Sequence, residues 1–77
     1  MVRAYILIET ETDKVTEVLA TVGHNLPSCK ALAESIVRGE VIASLQCNDL
    51  DALNRSIMEI AKKDGVKQIT TFHVKTA

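Results

Sequence analysis

What most constrains this chain is the way the spacing of its apolar residues keeps changing along its length. From residue 2 to residue 9 they alternate. Val2, Ala4, Ile6 and Ile8 share one face and Arg3, Tyr5, Leu7 and Glu9 the other, which is the period of a β-strand. The second face is apolar in its middle, at Tyr5 and Leu7, as an edge strand turned to water would not need to be. From Asp13 the period lengthens: Val15, Val18, Leu19 and Val22 recur at i, i+3, i+4 and i+7 and predict an amphipathic helix. Thr12 or Asp13 can cap its first amides, and Gly23 with Asn25 offers a stop.

Residues 29–37 and 41–47 read as two further strands joined across Arg38-Gly39, a tight connection where glycine permits a positive φ. In the later of the two, Val41, Ala43, Leu45 and Cys47 share a face, while Ile42, Ser44 and Gln46 point the other way. Asn48-Asp49 then caps a second helix, where Leu50, Leu53, Ile57, Ile60 and Ala61 repeat at helical spacing. Lys62-Lys63 and Gly65 are its end signals. Residues 66–75 return to β character, with Val66, Ile69, Thr70, Thr71, Phe72 and Val74.

The order is βαββαβ. Two right-handed crossovers joined by a hairpin make an α+β, ferredoxin-like sandwich: a four-stranded antiparallel sheet with both helices on one face. With 77 residues and no repeat, the chain is read as a single domain over 1–77. The opposite face of the sheet is left bare. Burying one aliphatic side chain contributes about 1.5–3 kcal/mol, so Tyr5, Leu7 and Ile42 are expected to pack on a second copy and make the domain a homodimer.

Charge narrows the function classes. Nine basic residues are scattered among ten acidic ones for a net charge of −1, and the aromatics are Tyr5 and Phe72 alone, so neither a phosphate-binding footprint nor a base-stacking surface is expected. The start holds no apolar segment of signal-peptide or membrane-helix length, which makes cytoplasmic residence the expectation. For Cys29 and Cys47 the burial preference of free cysteine favours two buried thiols, with a disulfide as the alternative. The only proline falls in an Asn25-Leu26-Pro27-Ser28 break. His24 is expected at the negative end of the first helix and His73 at a surface or interface. No spacing joins them to the cysteines as metal ligands, and no cofactor is expected.

Several strings are similar to stand-alone members of the leucine-responsive/asparagine-regulator (Lrp/AsnC) family, whose effector-binding part is called the RAM domain. They are Val2-Arg3-Ala4-Tyr5-Ile6-Leu7-Ile8-Glu9-Thr10, then Lys14-Val15 and Glu17-Val18-Leu19, then Asp49-Leu50-Asp51-Ala52-Leu53, and Asp64-Gly65-Val66 through Thr70-Thr71. The resemblance spans nearly the whole chain. Between the second and third strands the family carries glycine, any residue, an aromatic and aspartate, and here that register reads Val37-Arg38-Gly39-Glu40. The acidic group persists as Glu40, but the first glycine and the aromatic do not.

The resemblance implies a dimer formed through the sheets, assembling into octamers or decamers, with a small amino-acid effector bound between dimers and no DNA binding of its own. It implies a module that senses a metabolite, or that joins a full-length Lrp/AsnC regulator and so modulates transcription. By position, Glu40 would accept the effector's ammonium, Arg38 would pair with its carboxylate beside Gly39, and Thr70 and Thr71 would orient it. The plainer alternatives are an exposed charged hairpin tip and β-branched residues that simply suit a strand. Only one of the two threonines can face a given side.

No catalytic constellation is present: there is no glycine-rich phosphate loop and no nucleophile elbow, and Glu9, Glu11, Asp13 and Glu17 read as a solvated charged stretch. The alternative function is a small dimeric α+β-barrel enzyme of oxygenase or haem-degrading type, with His73 or His24 in a large, enclosed cleft.

Overall fold

The computed structural model describes residues 1–24, 26 and 29–76. Its elements are β1 (Val2–Thr10), a single 3-10 turn (Thr12–Lys14), α1 (Val15–His24), β2 (Cys29–Val37), β3 (Glu40–Cys47), α2 (Leu50–Ala61) and β4 (Val66–Thr76). The strands form one antiparallel sheet in the order β2-β3-β1-β4. The expected ferredoxin-like arrangement is the observed one, and β1, apolar on both faces, lies inside the sheet.

Alternation in β1 and β3 sets the core. Ile6 is paired with Ala43, Ala4 with Leu45 and Ile8 with Val41, all buried. Val18 and Val22 of α1 and Ala52, Leu53 and Ile60 of α2 close over them from the helix side, with Leu26 joining the cluster. One methylene removed from such an interior is felt, because little can collapse into the space.

The helix ends follow the sequence unevenly. Asp49 is extended and its carboxylate accepts from the Ala52 amide at 2.7 Å, the expected N-cap of α2. At α1 the chain enters through the 3-10 turn instead. Glu11 is its N-cap residue but makes no side-chain cap bond, and Lys14 N–H donates to the Glu11 carbonyl at 2.9 Å. Gly23 lies within α1 rather than ending it. α2 stops at Ala61, so Lys62 is its C-cap and Lys63 follows it. Gly65 has φ +96°, and a Cβ there would collide with Cβ and Cγ of Lys14, which accounts for glycine at the foot of β4.

Cys29 and Cys47 are corrected. They are directly paired across β2 and β3 and joined by a disulfide, where two buried thiols were expected. Burial preference does not register strand pairing. The hairpin register puts both Cβ atoms on the helix side of the sheet with Cα atoms 4.2 Å apart. The Ser56 hydroxyl of α2 donates to the Cys29 sulfur at 3.0 Å. Asn25, Pro27 and Ser28 of the expected break, and the side chain of His24, lie outside the described residues.

Candidate interaction site on the open sheet face

The face away from the helices can be built row by row from the strand register. Nearest the disulfide, Lys30, Gln46, Arg3 and Lys75 lie side by side across the four strands. Next come Leu32, Ser44, Tyr5 and Phe72, then Glu34, Ile42, Leu7 and Thr70. The row at the hairpin end is Val37, Glu40, Glu9 and Gln68. The residues expected at a dimer interface, Tyr5, Leu7 and Ile42, therefore share one face, and Leu7 and Ile42 are directly opposite.

The face remains apolar and exposed at its centre. Tyr5 and Phe72 are each 42% exposed although their rings stack at 6.2 Å between centroids, and Leu32 is 79% exposed. Leu32 and Phe72 belong to the patch but were not among its expected members. Leu32 sits in a strand whose own alternation, Ala31, Ala33 and Ser35 against Leu32, Glu34 and Ile36, is too weak to assign a face without the register.

Among the described residues the sheet has three register shifts, one of them between Gln68 and Val66. Between Ser35 and Val37 the register shifts, leaving Ile36 as the extra residue on β2. On β4 the register shifts between Phe72 and Lys75, and His73 there takes φ 58°. Simple alternation from Phe72 would set Val74 opposite Arg3, whereas the shift sets Lys75 there. His73 is exposed, as expected, with its ring 5.7 Å from that of Tyr5.

The expected effector residues share one end of the sheet only in part. Arg38 is exposed at the β2–β3 turn, and Gly39 has φ +81° with its carbonyl accepting from Thr10 N–H at 2.8 Å. That turn explains glycine where the Lrp/AsnC pattern has an aromatic, since a bulky side chain is disfavoured at positive φ. Glu40 and Thr70 are both on the open face but two strands apart, about 10 Å from strand spacing alone. Thr71 pairs with Ile6 and so is turned to the helix side. The sequence reading missed Glu9, which lies directly opposite Glu40 and doubles the negative charge there.

Two shallow clefts lie at the other end. One, of about 290 Å³, is lined by Val22, Gly23, Leu26, Cys29, Lys30 and Ala31. The other, of about 420 Å³, is lined by Met1, Cys29, Lys30, Gln46, Cys47 and Asn48. Neither includes His73 or the expected effector residues. Among the described residues there is no group of three or more His, Cys, Asp or Glu side chains placed to hold a metal, and no helix long and apolar enough to cross a membrane.

Fold and face together define a ferredoxin-like α+β domain with a bare, apolar-centred sheet. No family model matches the chain, and no curated protein matches it. Among solved structures it is similar to the solution structure of the E. coli Tat proofreading chaperone protein NapD, with a TM-score of 0.77 over 97% of this chain and 78% of that one, at 12% identity. At that identity the likeness establishes the fold.

Proposed function

We propose that this domain is a non-catalytic assembly and sensing module of the Lrp/AsnC ligand-binding type. It works by pairing with a second copy through the open sheet face, and its dimers build octamers or decamers, alone or with a full-length regulator whose transcriptional activity they modulate. The observation that carries the reading is the apolar centre of that face, where Tyr5, Leu32 and Phe72 are exposed and Leu7 and Ile42 half-buried between them. The effector is a small amino acid held where dimers meet, its ammonium drawn to Glu40 and Glu9, with Arg38 available to its carboxylate and Thr70 to orient it. The domain makes no direct contact to nucleic acid.

Light scattering after size exclusion, with and without a panel of amino acids, tests this reading. The expected result is a dimer or larger at micromolar concentration, and a mass or melting temperature that one amino acid shifts. A monomer that no amino acid alters would refute it.

A second reading is favoured by the likeness to NapD, a Tat proofreading chaperone, over nearly the whole chain. In it the same face receives an apolar segment of another protein. Such a domain would stay monomeric until an apolar peptide is added and would then bind it with Tyr5 and Phe72 protected from solvent. Self-association that excludes the peptide would count against this second reading.

A further inference from the structure

The charges on the open face are sorted by sign along the strands. Arg3, Lys30 and Lys75 lie in the row nearest the disulfide, and no carboxylate lies in that row. Glu9 and Glu40 lie in the last row with Glu34 in the row before it, and no cation lies in either. The apolar centre separates the two ends. Among the described residues the ion pairs join Lys14 to Glu17 and Asp64, and Lys62 to Glu59, so none of these six charges takes part in one.

Within one copy this sorting is unfavourable. Like charges directly opposite on neighbouring strands destabilise a sheet, and Glu9 faces Glu40 while Arg3 faces Lys75. A solvated face gains nothing from such segregation. A face that meets another carrying the reverse order does.

We infer that two copies pack open face to open face with their strands antiparallel, so that the Arg3–Lys30–Lys75 end of each covers the Glu9–Glu34–Glu40 end of the other. This deepens the dimer reading above and rests on it. Packed sheets lie about 10 Å apart with their strands either within about 30° of each other or at about 90°. Orthogonal packing overlaps the charged ends only at a corner, whereas aligned packing superimposes whole rows and leaves two ways to relate the faces by a two-fold axis. An axis along the strands stacks three cations on three cations and three carboxylates on three carboxylates. An axis across them keeps each strand over its own copy and reverses the rows, bringing Arg3 over the partner copy's glutamates and Tyr5 over its Leu7. Like-charge juxtaposition excludes the first and selects the second.

The area is adequate. The protein measures 35 × 20 × 17 Å, and an eleven-residue strand such as β4 accounts for the long dimension. The face is thus bounded at roughly 700 Å², close to the roughly 800 Å² per partner of a standard stable interface.

The test uses the full chain and two charge-reversed forms, R3E with K75E and E9K with E40K, each checked for a wild-type far-ultraviolet spectrum. Sedimentation equilibrium is expected to show each reversed form associating about tenfold or more weakly than the wild type, and their equimolar mixture recovering a heterodimer at or above wild-type affinity. Wild-type association should weaken between about 0.01 M and 1 M salt, as the Debye length falls from about 30 to 3 Å. If a reversed form fails to fold, the single changes R3Q and E9Q replace it with a smaller loss expected from each.

Carbodiimide coupling in a mixture of isotope-labelled and unlabelled chains supplies the orientation, with mixed-label links expected from Lys30 to Glu34 or Glu40 and from Lys75 to Glu9. A wild-type dimer indifferent to salt and to both reversals overturns the antiparallel inference while the dimer reading stands. Mixed-label links between Lys30 and Lys75, formed by a short amine-to-amine bis-succinimidyl ester in a parallel sample, overturn it too. A wild-type monomer at micromolar concentration overturns both.

Discussion

Ile6 and Leu7 are neighbours in sequence with similar volume and opposite assignments, so truncating each in turn separates the work of the two faces. Ile6 is fully buried under the helices, and Ile6→Ala leaves a cavity in a close-packed interior at a cost of about 2–5 kcal/mol to the folding of each copy. Leu7 is half-buried between Ile42 and Thr70, and only association covers the rest. If full burial of a leucine contributes about 1.5–3 kcal/mol, the third or less that a partner can still cover is worth about 0.5–1 kcal/mol, and a symmetric dimer loses it twice. At 1.4 kcal/mol per factor of ten, Leu7→Ala should weaken dimerisation roughly five- to thirtyfold while lowering the stability of one copy by about 1–2 kcal/mol.

Two measurements read this out: urea unfolding at concentrations where the monomer dominates, and sedimentation equilibrium over a concentration series. Ile6→Ala should lower the urea midpoint strongly and Leu7→Ala less, with the order reversed for the association constant among folded molecules. If Leu7→Ala proves as costly to monomer folding as Ile6→Ala and leaves association within about threefold of wild type, the open face is not an interface and the reasoning fails.

Other perturbations test the scaffold. Asp49→Ala removes the side-chain acceptor of the Ala52 amide and should cost about 1 kcal/mol by urea titration, with Asp49→Ser recovering most of it. Reducing the Cys29–Cys47 disulfide, 18 residues apart in sequence, should lower unfolding free energy by about 2–4 kcal/mol. Unchanged midpoints would mean that the pairing of β2 with β3 needs no covalent help. Gly65→Ala meets both a positive φ and the Lys14 side chain, and a loss of about 2 kcal/mol or more is expected in the same assay. Glu17 at 3.7 Å and Asp64 at 3.4 Å hold the Lys14 ammonium above its ordinary value of 10.5. A raised lysine stabilises the fold below its unfolded pKa and loses that contribution as pH rises through the folded one. The urea midpoint should therefore fall in that alkaline window and fall less in Lys14→Met.

Period was enough to read most of the scaffold. Val2 to Ile8, Val15 to Val22 and Leu50 to Ile60 carry patterns that a strand or a helix alone satisfies, and the Asp49 cap lies where its residue type implies. The misplaced features depend on contacts distant in sequence. Gly23 reads as a stop from local chemistry, yet α1 continues through it to His24. Gly65 is required by Lys14, which lies far from it in sequence. The Cys29–Cys47 bond follows from the hairpin register, and no rule about single residues contains that register.

The open face shows the same division more sharply, because its charge order depends on an irregularity. A regular β4 would set Val74 opposite Arg3 and leave the basic end with two cations and an exposed valine. His73 at φ 58° advances the strand by one residue and sets Lys75 there instead. A non-glycine residue at that φ costs of order 1 kcal/mol or more, and Tyr5 beside the His73 ring is the aromatic neighbour that supports it. A bulge maintained at such a cost re-aims the side chains that follow it, here exchanging an apolar group for a cation on the surface proposed to meet a second copy. The backbone irregularity and the sorted charges thus serve the same end. His73→Gly, which relieves the φ cost, should stabilise the monomer without changing association, while Lys75→Val, which returns an apolar group to the place opposite Arg3 without touching the bulge, should weaken association under low salt.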